Sequence, residues 1–246
     1  MRPIARRPVR SPGRLDFAVA VGGLLLIGVT STARAATAGS FSLVSNETLR
    51  GRSISAGRPV GRGGLTYDDA SGIYGGVSLS AVAARSEGVR FFDAQEYAGF
   101  AKRISPRLTL DLGVLNVDYR RYASVGTGGY TEAYAGLIGH RLSGHLHLSP
   151  NYFGSGVATV YATVDDALFV RGAWSVNGHA GLLFWVSGGR PVGAPAVHYD
   201  WALAINRAVG PMRLHVGWVQ GGPNRDFYAG REHPHGAAVA GVTIGL

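Results

Sequence analysis

Leu108-Thr109-Leu110-Asp111-Leu112-Gly113-Val114 sets one apolar side chain against one polar or minimal one for seven consecutive residues. Side chains on a strand alternate between faces with a period of two, so Leu108, Leu110, Leu112 and Val114 share one face and Thr109, Asp111 and Gly113 the other. The same rhythm recurs upstream, where Ile73, Val77, Leu79 and Ala81 oppose Tyr74, Gly76, Ser78 and Ser80. Downstream, Gly144, Leu146 and Leu148 oppose Ser143, His145, His147 and Ser149. Repeated along a chain, such segments read as a sheet with one apolar and one polar side.

Strands of about 9–11 residues are the expected unit of a membrane-spanning barrel. They are placed at Ser40–Arg50, Val60–Asp68, Gly72–Val82, Arg90–Ala101, Leu108–Asp118 and Tyr130–Gly139. Six more follow at Ser143–Asn151, Val157–Val164, Leu168–Val176, Tyr199–Arg207, Met212–Gln220 and Ala237–Leu246. Tight connectors at Asp69–Ser71, Lys102–Arg107, His140–Leu142, Asp165–Ala167 and Ala208–Pro211 alternate with longer ones, of which Asn177–His198 is the largest. An even strand number, short turns at one end and long loops at the other describe an all-β, antiparallel up-and-down transmembrane barrel of about 12 strands. Phe41, Tyr67, Phe100, Tyr119, Tyr130 and Trp201 fall near strand ends, where an interfacial aromatic girdle belongs. Alternation alone leaves a soluble sandwich open.

The N-terminus is of another kind. Arg2, Arg6, Arg7, Arg10 and Arg14 precede a 13-residue apolar run, Phe17–Val29, and the small-residue site Ala33-Arg34-Ala35. Such a run is shorter than the roughly 18 residues of a spanning helix and reads as a secretory leader, residues 1–35, with the barrel occupying 36–246. Without the leader the formal charge falls from +9 to +4, so the basic balance does not point to nucleic acid. Cysteine is absent, so no disulfide framework is available, and the 38 glycines suit turns and close backbone approach in a sheet.

From Ser42 to Ser80 the chain reads SLVSNETLRGRSISAGRPVGRGGLTYDDASGIYGGVSLS. Ser45, Arg50, Gly51, Ser53, Ser55, Pro59, Gly64, Tyr67, Ser71, Gly72, Tyr74, Gly76 and Ser80 in this stretch resemble the TorF family of porin-like proteins, a conserved exported bacterial family of unknown function. Asp111 and Gly113, Glu132, Tyr134 and Gly136, the run Ser149-Pro150-Asn151-Tyr152-Phe153-Gly154, and Tyr199, Asp200 and Trp201 extend the resemblance. Glu47, Asn151 and Arg120 depart from the family pattern, and Leu246 ends the chain where an aromatic is usual. The resemblance implies an outer-membrane location and a porin-like role, with no defined substrate.

Candidate site residues are those whose charge would line a lumen: Arg50, Asp111, Glu132, Arg171, His145 and His147. They would act either as a selectivity field or as an internal network that rigidifies or plugs the barrel. Arg50, with Gly51, Ser53 and Ser55, either binds an anionic solute or lipopolysaccharide phosphate, or folds its loop back onto the barrel. His145 and His147 lack a third ligand in the sequence, and no metal or cofactor is expected. No G-x-S-x-G, HExxH or phosphate-loop motif is present, so the chain is not expected to be an enzyme. The expected partners are outer-membrane lipids and lipopolysaccharide, the barrel-assembly machinery and small hydrophilic solutes. A non-conducting barrel with partner-binding loops, and a soluble periplasmic sandwich or lipocalin-like binder, remain the alternatives.

Overall fold

A computed structural model of the chain describes residues 35–84, 88–120, 128–190, 195–223, 226–228, 231–233 and 236–246. The leader expected at 1–35 lies outside the described residues, save Ala35. Twelve antiparallel strands form a closed barrel. They are β1 Ala36–Val44, β2 Val60–Asp68, β3 Ile73–Ala84, β4 Gly88–Ser105, β5 Leu108–Tyr119 and β6 Gly128–Ile138. The circuit continues with β7 Leu142–Ser149, β8 Ala158–Arg171, β9 Trp174–Ser187, β10 Val197–Val209, β11 Met212–Gly222 and β12 Gly236–Gly245. Each strand pairs with its neighbours in sequence, and β1 closes the ring on β12 with Ser40 opposite Gly245 and Val44 opposite Gly241. Closure removes the unpaired edges that an open sheet would present.

The alternation resolves as the sequence pattern requires. Leu65, Val77, Leu79, Leu112, Val114, Leu146, Leu148, Leu203, Ile205 and Val216 point outward and are exposed, forming an apolar exterior. Asp111, Glu132, Ser143, Ser149, His179, Asp200 and Asn206 point inward and are buried. Phe41, Tyr67, Phe100 and Trp201 are on the outer surface, but Tyr119 and Tyr130 are not part of the girdle. They share parity with Asp111 and Glu132 respectively, and therefore face the interior.

Three placements differ from the sequence reading. The first strand ends at Val44 rather than Arg50, leaving residues 45–59 as a loop. Asp165–Ala167 is no turn: β8 continues through an irregularity between Asp166 and Phe169, and the chain reverses at 172–173. Arg171 consequently sits beside that reversal, opposite Trp174 and exposed, not at mid-strand on the inner wall. The long connector expected at Asn177–His198 shrinks to 188–196, because β9 runs to Ser187 and brings Asn177 and His179 into the wall.

Candidate functional site

The inner face of the wall is built from glycine–aromatic joints. A Cβ on Gly113 would strike the Tyr134 ring, one on Gly99 the Tyr74 ring, one on Gly181 the Tyr161 ring, and one on Gly136 the His145 ring. Gly76 likewise seats Tyr97. The missing side chains let large rings lie flat against neighbouring strands while their polar tips reach across the lumen. Tyr74 hydroxyl donates to Asp111, whose other oxygen lies 3.1 Å from His145 Nε2. Tyr161 hydroxyl lies 3.0 Å from each Asp200 oxygen, and His179 spans Asp165 at 2.7 Å and Asp200 at 3.1 Å.

At the long-loop end an apolar cluster fills the interior beside an ion-pair network. Leu49 and Ile54 of the 45–59 loop pack among the inward side chains Val44, Val60, Val82, Phe92, Val117, Tyr119 and Tyr130. The loop is a self-bonded clip: Ser53 and Ser55 hydroxyls donate to Asn46 Oδ1 at 2.7 and 3.1 Å, and Glu47 N–H donates to Ser55 Oγ at 2.9 Å. Ser45 stitches its start to β12, its N–H donating to Ala240 O at 2.8 Å. Arg62 on β2 donates to both Asp93 oxygens, at 2.9 and 3.1 Å, and to Glu47 at 3.2 Å. Ser80 hydroxyl completes the Asp93 shell. Burial pushes the Glu47 carboxyl above its ordinary value, against the pull of Arg62.

Arg50 is a buried residue of this loop. Its backbone adopts φ +49°, followed by Gly51 at +77°, where a side chain would meet Gln220 and Gly221 backbone atoms at 2.5–2.7 Å. A left-handed non-glycine residue is held only by its surroundings. Here the Arg50 carbonyl accepts from His198 Nε2 at 2.8 Å and the guanidinium bonds Glu132. The guanidinium carbon lies 4.2 Å from the Tyr161 ring centroid, 4.7 Å from Tyr152 and 5.4 Å from Tyr130. Tyr152 and Phe153 reach this point from the loop after β7, Phe153 stacking on Tyr119 at 5.8 Å between centroids. Burial opposes the Arg50 charge, but Tyr152 and Glu132 more than offset it, so its pKa stands above the ordinary arginine value.

Of the six residues singled out from the sequence, five converge inside the barrel: Arg50 with Glu132, Asp111 with His145, and His147 with its Nδ1 3.5 Å from Glu132. That nitrogen makes no hydrogen bond. Arg171 stands apart at the tight-turn rim. Among the family-like positions, Gly72 turns the chain between β2 and β3 at φ +96°, Pro59 O accepts from Ala83 N at 2.9 Å, and Pro150 is exposed. Asp165 was missed because a pair of aspartates reads as a turn, and His179 because it fell in the connector expected at Asn177–His198; Tyr161 was missed because a tyrosine in a β-rich run signals only a strand.

The sequence model of Gcw_chp, described as a bacterial protein of unknown function, matches residues 29–244. This chain belongs to the Gcw_chp family. Among solved structures its fold is similar to the KdgM porin, at TM-score 0.50 and 8% identity, covering 85% of this chain and 98% of that one. It is similar also to the NanC porin, at TM-score 0.51 and 12% identity, again with 85% and 98% covered. No curated protein matches the sequence. The Gcw_chp chain described here therefore has a porin-like barrel with a loop folded into its interior.

Proposed function

We propose that this protein is an outer-membrane barrel that forms a narrow channel for passive diffusion of small hydrophilic solutes, shut by its own 45–59 loop. The TorF resemblance and the porin-like fold agree with that role. The supporting observation is the chemistry of the inner wall. Asp93, Asp111, Glu132, Asp165 and Asp200 project inward and are met by Arg62 and histidines. An interior that needed only filling would be at least as stable with apolar side chains, since buried ion pairs rarely outperform them. A polar wall is what a water-filled path requires. Outer-membrane lipids and lipopolysaccharide surround the apolar exterior in this reading, the assembly machinery inserts the barrel, and no cofactor or catalytic step takes part. The buried apolar cluster around Leu49 and Ile54 favours a second reading, a permanently closed structural barrel with partner-binding loops.

Planar-bilayer conductance of the refolded chain separates the two. The wild type is expected to stay shut or open briefly, and a variant with 45–59 replaced by a short glycine linker to give sustained unit steps. A linker variant that folds, inserts and stays silent would overturn the channel in favour of the structural barrel.

A further inference from the structure

The Arg50 guanidinium occupies a cage of three tyrosine rings and one carboxylate, all from outside its own loop. Two walls are rings of the barrel, Tyr130 on β6 and Tyr161 on β8; the third is Tyr152 of the loop after β7; and the countercharge is Glu132 on β6. Each ring offers its negative face within about 6 Å, the range of a cation–π contact, and desolvation strengthens such contacts. Tyr161 is fixed by Asp200 and His179, and its ring is seated on Gly181, so this side of the cage is held by the barrel wall and not by Arg50. One guanidinium nitrogen, Nη1, is buried without a hydrogen-bond partner among the described residues. The site thus selects its occupant by aromatic faces and a single carboxylate rather than by saturating every donor.

We infer that this cage is a binding site for small planar organic cations bearing a guanidinium or amidinium head, open to them once Arg50, its built-in occupant, has left it. The inference rests on the proposed channel only for the passage of these solutes, not for their binding. With the loop withdrawn, Glu132 keeps His147 at 3.5 Å, while Asp111 and Asp200 face histidines and Asp93 faces Arg62. The same displacement therefore exposes a cation-attracting lumen, where Arg50 had supplied the compensating charge.

The test uses Arg50→Ala in the full-length mature barrel, which empties the cage without requiring the loop to move. The probe is guanidinium chloride at low millimolar concentration, with sodium chloride matched for ionic strength. The readout is the thermal midpoint of the heat-modifiable folded band. Guanidinium is expected to raise the midpoint of Arg50→Ala and to leave the wild type, whose cage is full, unmoved. Adding Glu132→Gln should weaken the response by at least about tenfold in apparent affinity, equivalent to ~1.4 kcal/mol. No response in Arg50→Ala, or an equal response in the wild type or the double variant, would overturn the site. Should Arg50→Ala fail to fold unaided, refolding yield with guanidinium against sodium reads the same site, and no gain overturns it. Binding without conductance in these variants would leave the cage standing while removing the channel.

Discussion

A tyrosine lying on a glycine of the next strand is the recurring joint of this wall, and its tolerance is small. At Gly113 a Cβ would meet the Tyr134 ring on one side and the Ala98 carbonyl oxygen at 2.7 Å on the other. Neither the ring nor the backbone can retreat without breaking the hydroxyl contacts among Tyr134, Tyr74 and Asp111. Gly113→Ala should therefore cost about 1–3 kcal/mol, the usual penalty of overpacking. Gly63 on β2 has nothing within 4 Å of such a Cβ, and Gly63→Ala should change stability by no more than about 0.5 kcal/mol. Urea unfolding of the two variants in detergent, read by the folded gel band, compares them; equal losses would refute the joint. The inward position of Gly113 was legible in the sequence, since its parity with Asp111 is fixed by the alternation. Its partner was not, because Tyr134 lies directly opposite Gly113 in the pairing of β5 with β6, and no single-strand pattern carries the register between strands.

The decisive element is the 45–59 loop, and its docking has a sign that can be read from Glu47. Burial raises the Glu47 carboxyl above 4.5, and Arg62 only partly offsets this. The docked loop therefore binds that proton more tightly than a released, solvated loop does. Docking strengthens as pH falls from neutrality through the raised value, and gains nothing more from this group once pH is below the ordinary value near 4.5. Measured between pH 7 and pH 5, the thermal midpoint of the wild type should gain on that of Glu47→Gln, which has no proton to take up. Parallel pH profiles would show that Glu47 does not sense docking. From sequence, the cluster Arg50, Gly51, Ser53 and Ser55 marked the segment as special and allowed a loop folded onto the barrel. The depth of the fold-back was hidden, because Leu49 read as the end of the first strand and Ile54 as one apolar residue in an external connector. The same ambiguity in reverse displaced β8 and β9: Asp165 and Asp166 have turn chemistry, yet Asp165 is held inside the wall by His179.

At the scale of the whole barrel the question is which solvent the apolar exterior meets. Leu79 is 60% exposed and Val216 63%, and they belong to a belt of exposed aliphatic side chains repeated on nearly every strand. On a soluble protein a continuous apolar band of this extent would be an aggregation surface, whereas in a bilayer it is the contact with lipid. The even strand number and this belt were both visible in the sequence, and closure follows from pairing β1 with β12. The two environments make opposite demands on one substitution. If the belt faces water, Leu79→Arg touches nothing buried, improves solubility and leaves stability unchanged. If it faces hydrocarbon, the guanidinium must be stripped of water or drag water inward, at a cost of about 2–4 kcal/mol near the bilayer midplane. The same substitution beyond the belt, at Val89 on the long-loop end of β4, 77% exposed, should cost about 0–1 kcal/mol. Folding yields into lipid vesicles, scored by heat-modifiable migration, should thus fall for Leu79→Arg and hold for Val89→Arg. Equal yields, with the chain staying dispersed in the absence of detergent, would turn the barrel into a soluble one and its polar lumen into a binding cavity.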